Sequence, residues 1–509
     1  MEYLLLASLQ GFFFVCFILA FVVFKSWKIA TSSSGEIKKS FRPAGISAKI
    51  ESLVAVLRFF VSGPSIILDG YANGKNAPYV VQTQGKDLVI VSSDNHIKEL
   101  LEAPETQLSL HAVAKDLFKP KYTMYEFDVH DEMAANGSMH FRVLRTLLTA
   151  NLPRMLPELQ NMMQREFAKE TLQGYTKTDE WSRIPTFDVA KRLVARINSY
   201  LFVGKDLTEN PEYLEAALAY PQEVFVTGEV LQLTPEFLAP VVTSIATKQG
   251  KALKTMLRYL FPIVEERLRQ REKGILPSER PLDCLQWIID SSPTKEKWDA
   301  KKVVQETLAL WFGSVHQLSM AFVYALYDLV DNPSYITLLR EELASAPDGW
   351  LSSLNDLPLL DSFLKESTRL SPSDSISLRR KALKTFIFSD GTVVPKGSWV
   401  CVPQRAIQRD AAYYENPERF DGHRFIKQGS ALTDLDARFP FWGLGKRACP
   451  GRFYAVGILK MMVASVIEQY DIDIDQATNP EDRMFWWRSA IIPKSTIELR
   501  VHERQKTRA

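Results

Sequence analysis

One stretch near the C-terminal end restricts this chain more than any other: FPFWGLGKRACPGRFYAVGILK, Phe439 to Lys460. Gly443, Gly445 and Gly451 bracket Cys449, and the text then turns into an apolar run. Glycines on both sides clear the backbone of side chains, so such a loop presents a sulfur to a flat, bulky object and turns backbone N–H groups towards it. The helix expected from about Arg452 adds the positive end of its dipole, which favours thiolate over thiol. Lys446 and Arg447 add cationic charge nearby. A phosphate loop does not fit GLGKR, because Lys446 is followed by Arg447 where Ser or Thr is required, and no strand precedes it. A buried packing cysteine is the other reading that the loop alone leaves open.

The remaining composition narrows what that cysteine does. The four cysteines, Cys16, Cys284, Cys401 and Cys449, lie far apart with no paired spacing, which excludes a disulfide framework and a zinc site. The seven histidines form no HExxH or other close ligand pair. A formal charge of +2 gives no case for a nucleic-acid partner, and 46% hydrophobic with 24% charged residues is ordinary globular composition.

The N-terminus reads as a membrane anchor. Tyr3 to Phe24, YLLLASLQGFFFVCFILAFVVF, carries no charge and as a helix spans ~33 Å, enough for a bilayer core. Lys25 and Lys28 follow at once while only Glu2 precedes, so the positive-inside rule keeps the rest cytosolic. A cleaved signal peptide is disfavoured by the absence of a basic region before the run and of a small-x-small site after it. Later apolar runs carry charges or prolines, so no second span is expected. The chain divides into an anchor (1–24), a linker and lead-in (25–60) and one large body (61–505). YVVQTQGKDLVIVSS, about Gly85-Lys86, signals a hairpin. From Met139 to about Asp331 helical periodicity dominates, and short strand-like pieces return beyond Ser371. The fold class is therefore mostly α with small β-sheets, without alternating βαβ units.

Two further stretches acquire meaning beside the cysteine loop. LLDSFLKESTRL is an amphipathic helix opened by Pro358 and closed at Ser371-Pro372, with Glu366 and Arg369 three apart on one face. ENPERFDGHRF, Glu415 to Phe425, places Arg419 in a turn-rich, aromatic-studded segment. In this order the three pieces resemble the haem-thiolate monooxygenases, the cytochrome P450 family. The family's aromatic-x-x-Gly-x-Arg-x-Cys-x-Gly is met by Trp442, Gly445, Arg447, Cys449 and Gly451, with tryptophan where phenylalanine is usual. Its Glu-x-x-Arg is met by Glu366 and Arg369, and the third member of its ion triad by Arg419. In HFRVLRTLLTANL, Arg145 stands four after Phe141, as does the family's propionate-binding arginine. The resemblance covers nearly everything after the anchor and is similar in flavour to fungal secondary-metabolism members.

The resemblance implies the P450 fold behind a single-pass anchor in the endoplasmic reticulum membrane, catalytic domain cytosolic. It implies haem b, with Cys449 as axial thiolate to the iron, and Arg447, Arg145 and one of Arg379 or Arg380 on the propionates. Electrons would come from NADPH through a partner reductase, with cytochrome b5 an optional second donor, docking on a basic face drawn from Lys446, Arg452 and Arg142. The substrate would be a lipophilic small molecule, a terpenoid or polyketide intermediate, held by Leu108–Lys119, the Gly313–Ser319 face, Ser373–Leu378 and Phe485–Ile492. The sequence departs from the family in KVVQETLALWFGSVHQLSMAFVYALYDLVDNP, expected as one helix of roughly 30 residues loosened at Gly313-Ser314. Where the family carries an acid followed by threonine, this chain carries His316, Gln317 and then Leu318. His316 is a candidate proton donor by its intrinsic pKa, or a hydrogen-bonded core residue, and Gln317 a candidate to hold a water. That departure leaves open a second enzyme class, an isomerase or dehydratase acting on a peroxide without external electrons.

Overall fold

The computed structural model describes residues 46–505 apart from 75–76, 84–85, 128–137, 174–176, 179–180, 233, 275–279, 294–297, 348–356 and 476–478. The expected anchor, Tyr3–Phe24, lies outside the described residues. The chain opens with α1 (Ile46–Gly74), which bends at Ser62 just before Pro64. The expected boundary at residue 60 therefore falls inside this helical segment, two residues before its bend at Ser62. Strands β1 (Tyr79–Thr83) and β2 (Lys86–Ile90) form the anticipated antiparallel hairpin. After α2 (Asp94–Glu102), β3 (Leu108–Ser109) and α3 (Leu110–Phe118), a helical run of Met139–Val143 and Leu144–Leu148 leads into α4 (Thr149–Leu172).

The helical middle is interrupted by β4 (Lys177–Thr178) and β5 (Trp181–Pro185), which the periodicity did not reveal. These short strands are held by pairing with distant chain, β5 lying antiparallel to β13 (Glu498–Glu503) and β13 to β10 (Tyr470–Ile474). Then follow α5 (Thr186–Val203), α6 (Pro211–Leu231), α7 (Ala239–Ala246), α8 (Lys251–Glu272) and α9 (Cys284–Ser291). The segment expected as one long helix is two, α10 (Ala300–Phe312) and α11 (His316–Asp331), separated at Gly313–Val315. Next come α12 (Ser334–Ser345), α13 (Pro358–Leu370) and α14 (Arg452–Gln469). Between α13 and α14 lie β6 (Ser377–Ala382), β7 (Phe386–Ile387), β8 (Val393–Val394) and β9 (Trp399–Val402). The larger sheet has the order β1-β2-β9-β6-β3, with β2 and β9 parallel. Beyond α14, β11 (Met484–Trp487) and β12 (Ala490–Pro493) make a separate hairpin.

The core lies among α4, α5, α11 and α14. α14 is apolar on every face and almost wholly buried, as a helix without a polar stripe must be. Its one interior cation, Lys460, is paired with Asp361 of α13 at 2.6 Å. Two helices among the described residues are long and apolar enough to cross a membrane, Val54–Gly74 and Ala300–Asp331. The second is mostly buried and split by the break, hence a core element. The first meets that measure of length and composition while carrying Arg58, Pro64 and Asp69, the charges and proline on which the expectation of no second span rests.

Asp328 on α11 is buried against α13, near Glu366 and Asp331, and burial together with those like charges pushes its carboxyl up to about 8. An unfolded aspartate titrates near ~3.9. The folded state thus holds a proton that the unfolded chain releases, and that stabilisation is complete below about pH 4 and lost as pH rises towards 8. Asp328→Asn is expected to flatten the fall in melting temperature between pH 5 and 8.5 and to melt a few degrees above the parent at the alkaline end.

Candidate active site

The site is assembled around a buried carboxylate. Glu366 and Arg369 on α13 are both fully buried and form a two-pronged pair, Nε to Oε2 at 2.7 Å and Nη2 to Oε1 at 2.8 Å. The second guanidinium on Glu366 belongs to Arg424, whose Nε lies 3.1 Å from both carboxylate oxygens. Arg419, expected in that place, is exposed, and only its backbone carbonyl takes part, accepting from Arg424 Nη2 at 3.1 Å. The segment contains two Arg-Phe pairs, Arg419-Phe420 and Arg424-Phe425, and spacing alone does not choose between them. Arg369 Nη1 also donates to the carbonyls of Gln408 and Pro417, and Arg424 Nη1 to that of Glu415. The pair of arginines thereby converts an irregular 408–425 segment with free carbonyls into a fixed scaffold.

That scaffold carries the cysteine loop. Lys365 of α13 donates to the Ser430 hydroxyl and the Ala431 carbonyl, with its ammonium over the rings of Phe425 and Phe439. Asp361 accepts the Leu432 N–H, and the Leu432 carbonyl in turn accepts from Trp442 Nε1 at 2.7 Å. Trp442 thus gains an anchor that phenylalanine lacks. Gly443 and Gly445 both have positive φ, +69° and +63°, conformations that a side chain disfavours. The Cys449 N–H donates to the Trp442 carbonyl at 2.7 Å, closing the loop. Cys449 as a residue is half-buried. Burial raises its pKa, while the Gly451 N–H bonded to it and the nearby Arg452 act in the opposite sense.

The arginines expected around the loop take different positions. Arg447 pairs through Nε with Glu105 at 2.6 Å. Arg380 is buried, donates to the Arg379 carbonyl and feels both Glu105 and Arg447. Arg379 is instead engaged by Asp374 at 2.5 Å. Of the two alternatives, Arg380 is the one brought beside Arg447. Arg145 is exposed at the loop's edge, with Nη2 3.5 Å from the Lys446 carbonyl. Glu105 was not anticipated, since nothing local in its sequence marks a carboxylate that pairs with the distant Arg447.

On the other side, Gly313 and Gln317 are exposed although they belong to the most buried bundle of the molecule. A Cβ built at Gly313 finds only the Ala309 carbonyl, at 3.9 Å, so the broken helix faces open space there. Phe312 meets Phe118 of α3 edge to face at 4.5 Å, roofing that face with an aromatic pair. His316 turns elsewhere: burial, and secondarily the charge of Lys191 on α5, lowers its pKa to about 4. The expectation of a near-neutral titration at His316 is therefore corrected, because a desolvated imidazole beside an ammonium stays uncharged. A half-buried cysteine in a glycine-bent loop, a cationic rim of Arg447, Arg380 and Arg145, and an open apolar face with one amide fit a haem in chemical type.

Comparison with known proteins places this arrangement. The family profile described as Cytochrome P450 matches residues 75–501. Cytochrome P450 monooxygenase 151 of Postia placenta is 31% identical over 476 residues, covering 91% of this chain and 93% of that protein. Cytochrome P450 monooxygenase AtmP of Aspergillus flavus is 30% identical, covering 89% and 87%. Cytochrome P450 monooxygenase paxP of Penicillium paxilli is 29% identical, covering 88% and 87%. Among solved structures, retinoic acid-bound cyanobacterial CYP120A1 superposes with a TM-score of 0.66 at 19% identity over 87% of this chain and 96% of that one. The haem domain of cytochrome P450DA gives 0.67 at 16% identity, over 87% and 93%. At these identities the structures speak for the fold alone.

The two arginines of ENPERFDGHRF should separate cleanly. Arg424→Ala strands a buried Glu366 with one partner fewer and is expected to cost about 3–5 kcal/mol. Arg419→Ala leaves its backbone acceptor in place and should stay within about 0.5 kcal/mol of the parent. Urea midpoints of the two variants measure the difference.

Proposed function

The chain belongs to the cytochrome P450 family, and from that membership we propose a membrane-bound monooxygenase that oxidises a lipophilic small molecule, a terpenoid or polyketide intermediate of fungal secondary metabolism. The observation that carries this reading is Cys449, half-buried in a glycine-bent loop within a cationic rim. Cys449 would ligate haem b, with Arg447, Arg380 and Arg145 on the propionates and Trp442 and Gly445 shaping the loop behind the sulfur. Haem so held supplies activation of dioxygen and transfer of one oxygen atom to an unactivated C–H bond. The chain's own residues position, exclude water and move protons. Glu366, Arg369 and Arg424 hold the loop and take no part in the chemistry.

Gln317 is the polar group on the open face of the break and would hold a water there. His316, uncharged at neutral pH, would offer a single N–H and no stored proton. The missing carboxylate also keeps the alternative alive, a peroxide isomerase or dehydratase that turns over without NADPH. Relatives named as monooxygenases favour the first reading.

Electrons would arrive from an NADPH-dependent reductase at the face where Arg142, Arg145 and Lys446 are exposed and Arg452 lies over the ring of Phe453. The opposite need, contact with the endoplasmic reticulum membrane, is served by the segment around α7, where Phe237 and Ile245 are 80% and 74% exposed. Beside it, Lys248, Lys251, Lys254 and Arg258 line a hollow of about 410 Å³, a basic rim suited to anionic headgroups.

The reduced, CO-bound spectrum of the purified chain tests the core of the proposal. A red-shifted thiolate-type band is expected in the parent and none in Cys449→Ala; a histidine-type band, or no haem, would overturn it. For the membrane face, Phe237→Ser with Ile245→Ser in protein lacking residues 1–24 should weaken sedimentation with anionic vesicles about tenfold or more, each buried side chain contributing roughly 1.5–3 kcal/mol.

A further inference from the structure

Asn198 of α5 is fully buried and joins two elements that no sequence motif connects. Its Nδ2 donates to the Ser314 hydroxyl at 3.0 Å, inside the break between α10 and α11. Its Oδ1 accepts from the hydroxyl of Tyr454, which sits on α14 five residues beyond Cys449. Ser314 passes the interaction on: its Oγ donates to the Trp311 carbonyl at 2.8 Å, and its N–H donates to the same oxygen at 3.2 Å. In an unbroken helix that carbonyl would accept from the N–H four residues ahead, at Val315. Ser314 therefore satisfies the carbonyl that the break releases, and Asn198 supplies the donor that turns the Ser314 hydroxyl towards it.

The direction of the chain is settled by its ends. A phenol hydroxyl that donates needs the amide oxygen, and a serine hydroxyl already donating to Trp311 needs the amide N–H. An aromatic column runs alongside, Tyr454 to Phe202 at 5.9 Å and Phe202 to Trp311 at 6.0 Å. Trp311 is itself pinned, its indole N–H donating to the Ala217 carbonyl of α6 at 2.7 Å. Lys191, whose charge acts on His316, lies two helical turns before Asn198 on the same face of α5. One face of α5 thus addresses the whole break.

We propose that Asn198 is a positioning residue that holds the α10–α11 break open and fixes its setting relative to the helix bearing Cys449. The proposal rests on the haem reading, because its consequence falls on the space between the break and that cysteine. Asn198 touches neither substrate nor haem; it acts through Ser314 and Tyr454. Without it, the Ser314 hydroxyl loses its orientation, the Trp311 carbonyl recovers Val315 as a partner, and the open face at Gly313 and Gln317 narrows.

The test uses the full chain loaded with haem. Asn198→Leu removes both hydrogen bonds and keeps the branched shape of the side chain. The reduced CO band is expected to remain thiolate-type, since Cys449 is untouched, while the C–O stretch of that complex shifts or splits and imidazole affinity of the ferric protein changes by about five-fold or more. Tyr454→Phe, which deletes one oxygen atom, should move both readouts the same way. Ser314→Ala should change melting temperature less in the Asn198→Leu background than in the parent, as members of one chain do. Unchanged stretch and affinity in Asn198→Leu and Tyr454→Phe, with additive melting shifts, overturn the proposal. If Asn198→Leu does not retain haem, Tyr454→Phe and Ser314→Ala decide by the same two readouts. A parent without the thiolate band overturns the haem reading and this proposal together; a parent with it and silent variants overturns this proposal alone.

Discussion

A carboxylate with no access to water governs the architecture. Glu366 is fully buried on α13 and is tolerated there only because Arg369 and Arg424 meet both of its oxygens. A buried charge without partners costs several kcal/mol, so any conformation that withdraws either arginine is heavily disfavoured. Both guanidiniums spend their remaining N–H groups on backbone carbonyls of residues 408–419, where regular structure is scarce. One ionic cluster thereby does for that segment what a sheet ladder does for a strand. Everything between it and Cys449 is hung from α13 through Asp361, Lys365 and Trp442.

The cysteine loop balances opposed demands. Burial disfavours a thiolate, yet the proposed haem ligation requires one. The Gly451 N–H and Arg452 reduce that penalty, and the start of α14 adds a helix N-terminus. The positive-φ glycines are what allow the loop to turn tightly enough to deliver those groups. Charge on the rim is arranged in the same spirit. Glu105 is paired with Arg447, and its charge also acts on buried Arg380, offsetting part of the repulsion between the two cations.

The opposite wall shows how a departure in sequence is absorbed. His316 and Gln317 stand where the resemblance places an acid and a hydroxyl, and α10 and α11 are separate at Gly313–Val315. Ser314 and Asn198 satisfy the released Trp311 carbonyl, and the hydroxyl used for it comes from inside the break. His316 then faces α5 and is kept neutral by burial, whereas Gln317 remains on the open side. Two adjacent residues on one helix point about 100° apart, so neighbours in a motif need not share a role.

Much of this molecule was legible without coordinates where the chemistry is local. The glycine spacing about Cys449, the Glu366–Arg369 pair three apart on a helix, the Pro358 start of α13 and the β1–β2 hairpin follow from backbone sterics and short-range periodicity. The cysteine motif, with its relatives, identifies the family. What the sequence could not decide are contacts between residues far apart in the chain. Whether Arg419 or Arg424 reaches Glu366 depends on how residues 415–425 turn, and both occupy the same local pattern. The β5–β13 pairing, the Glu105–Arg447 pair and the Asn198 link exist only once regions far apart in the chain pack together. Sequence by itself determined the local frame of the cysteine loop, its glycine spacing and the Glu366–Arg369 pair; tertiary structure alone decided which distant partners hold them, because burial and long-range proximity are properties of the folded chain.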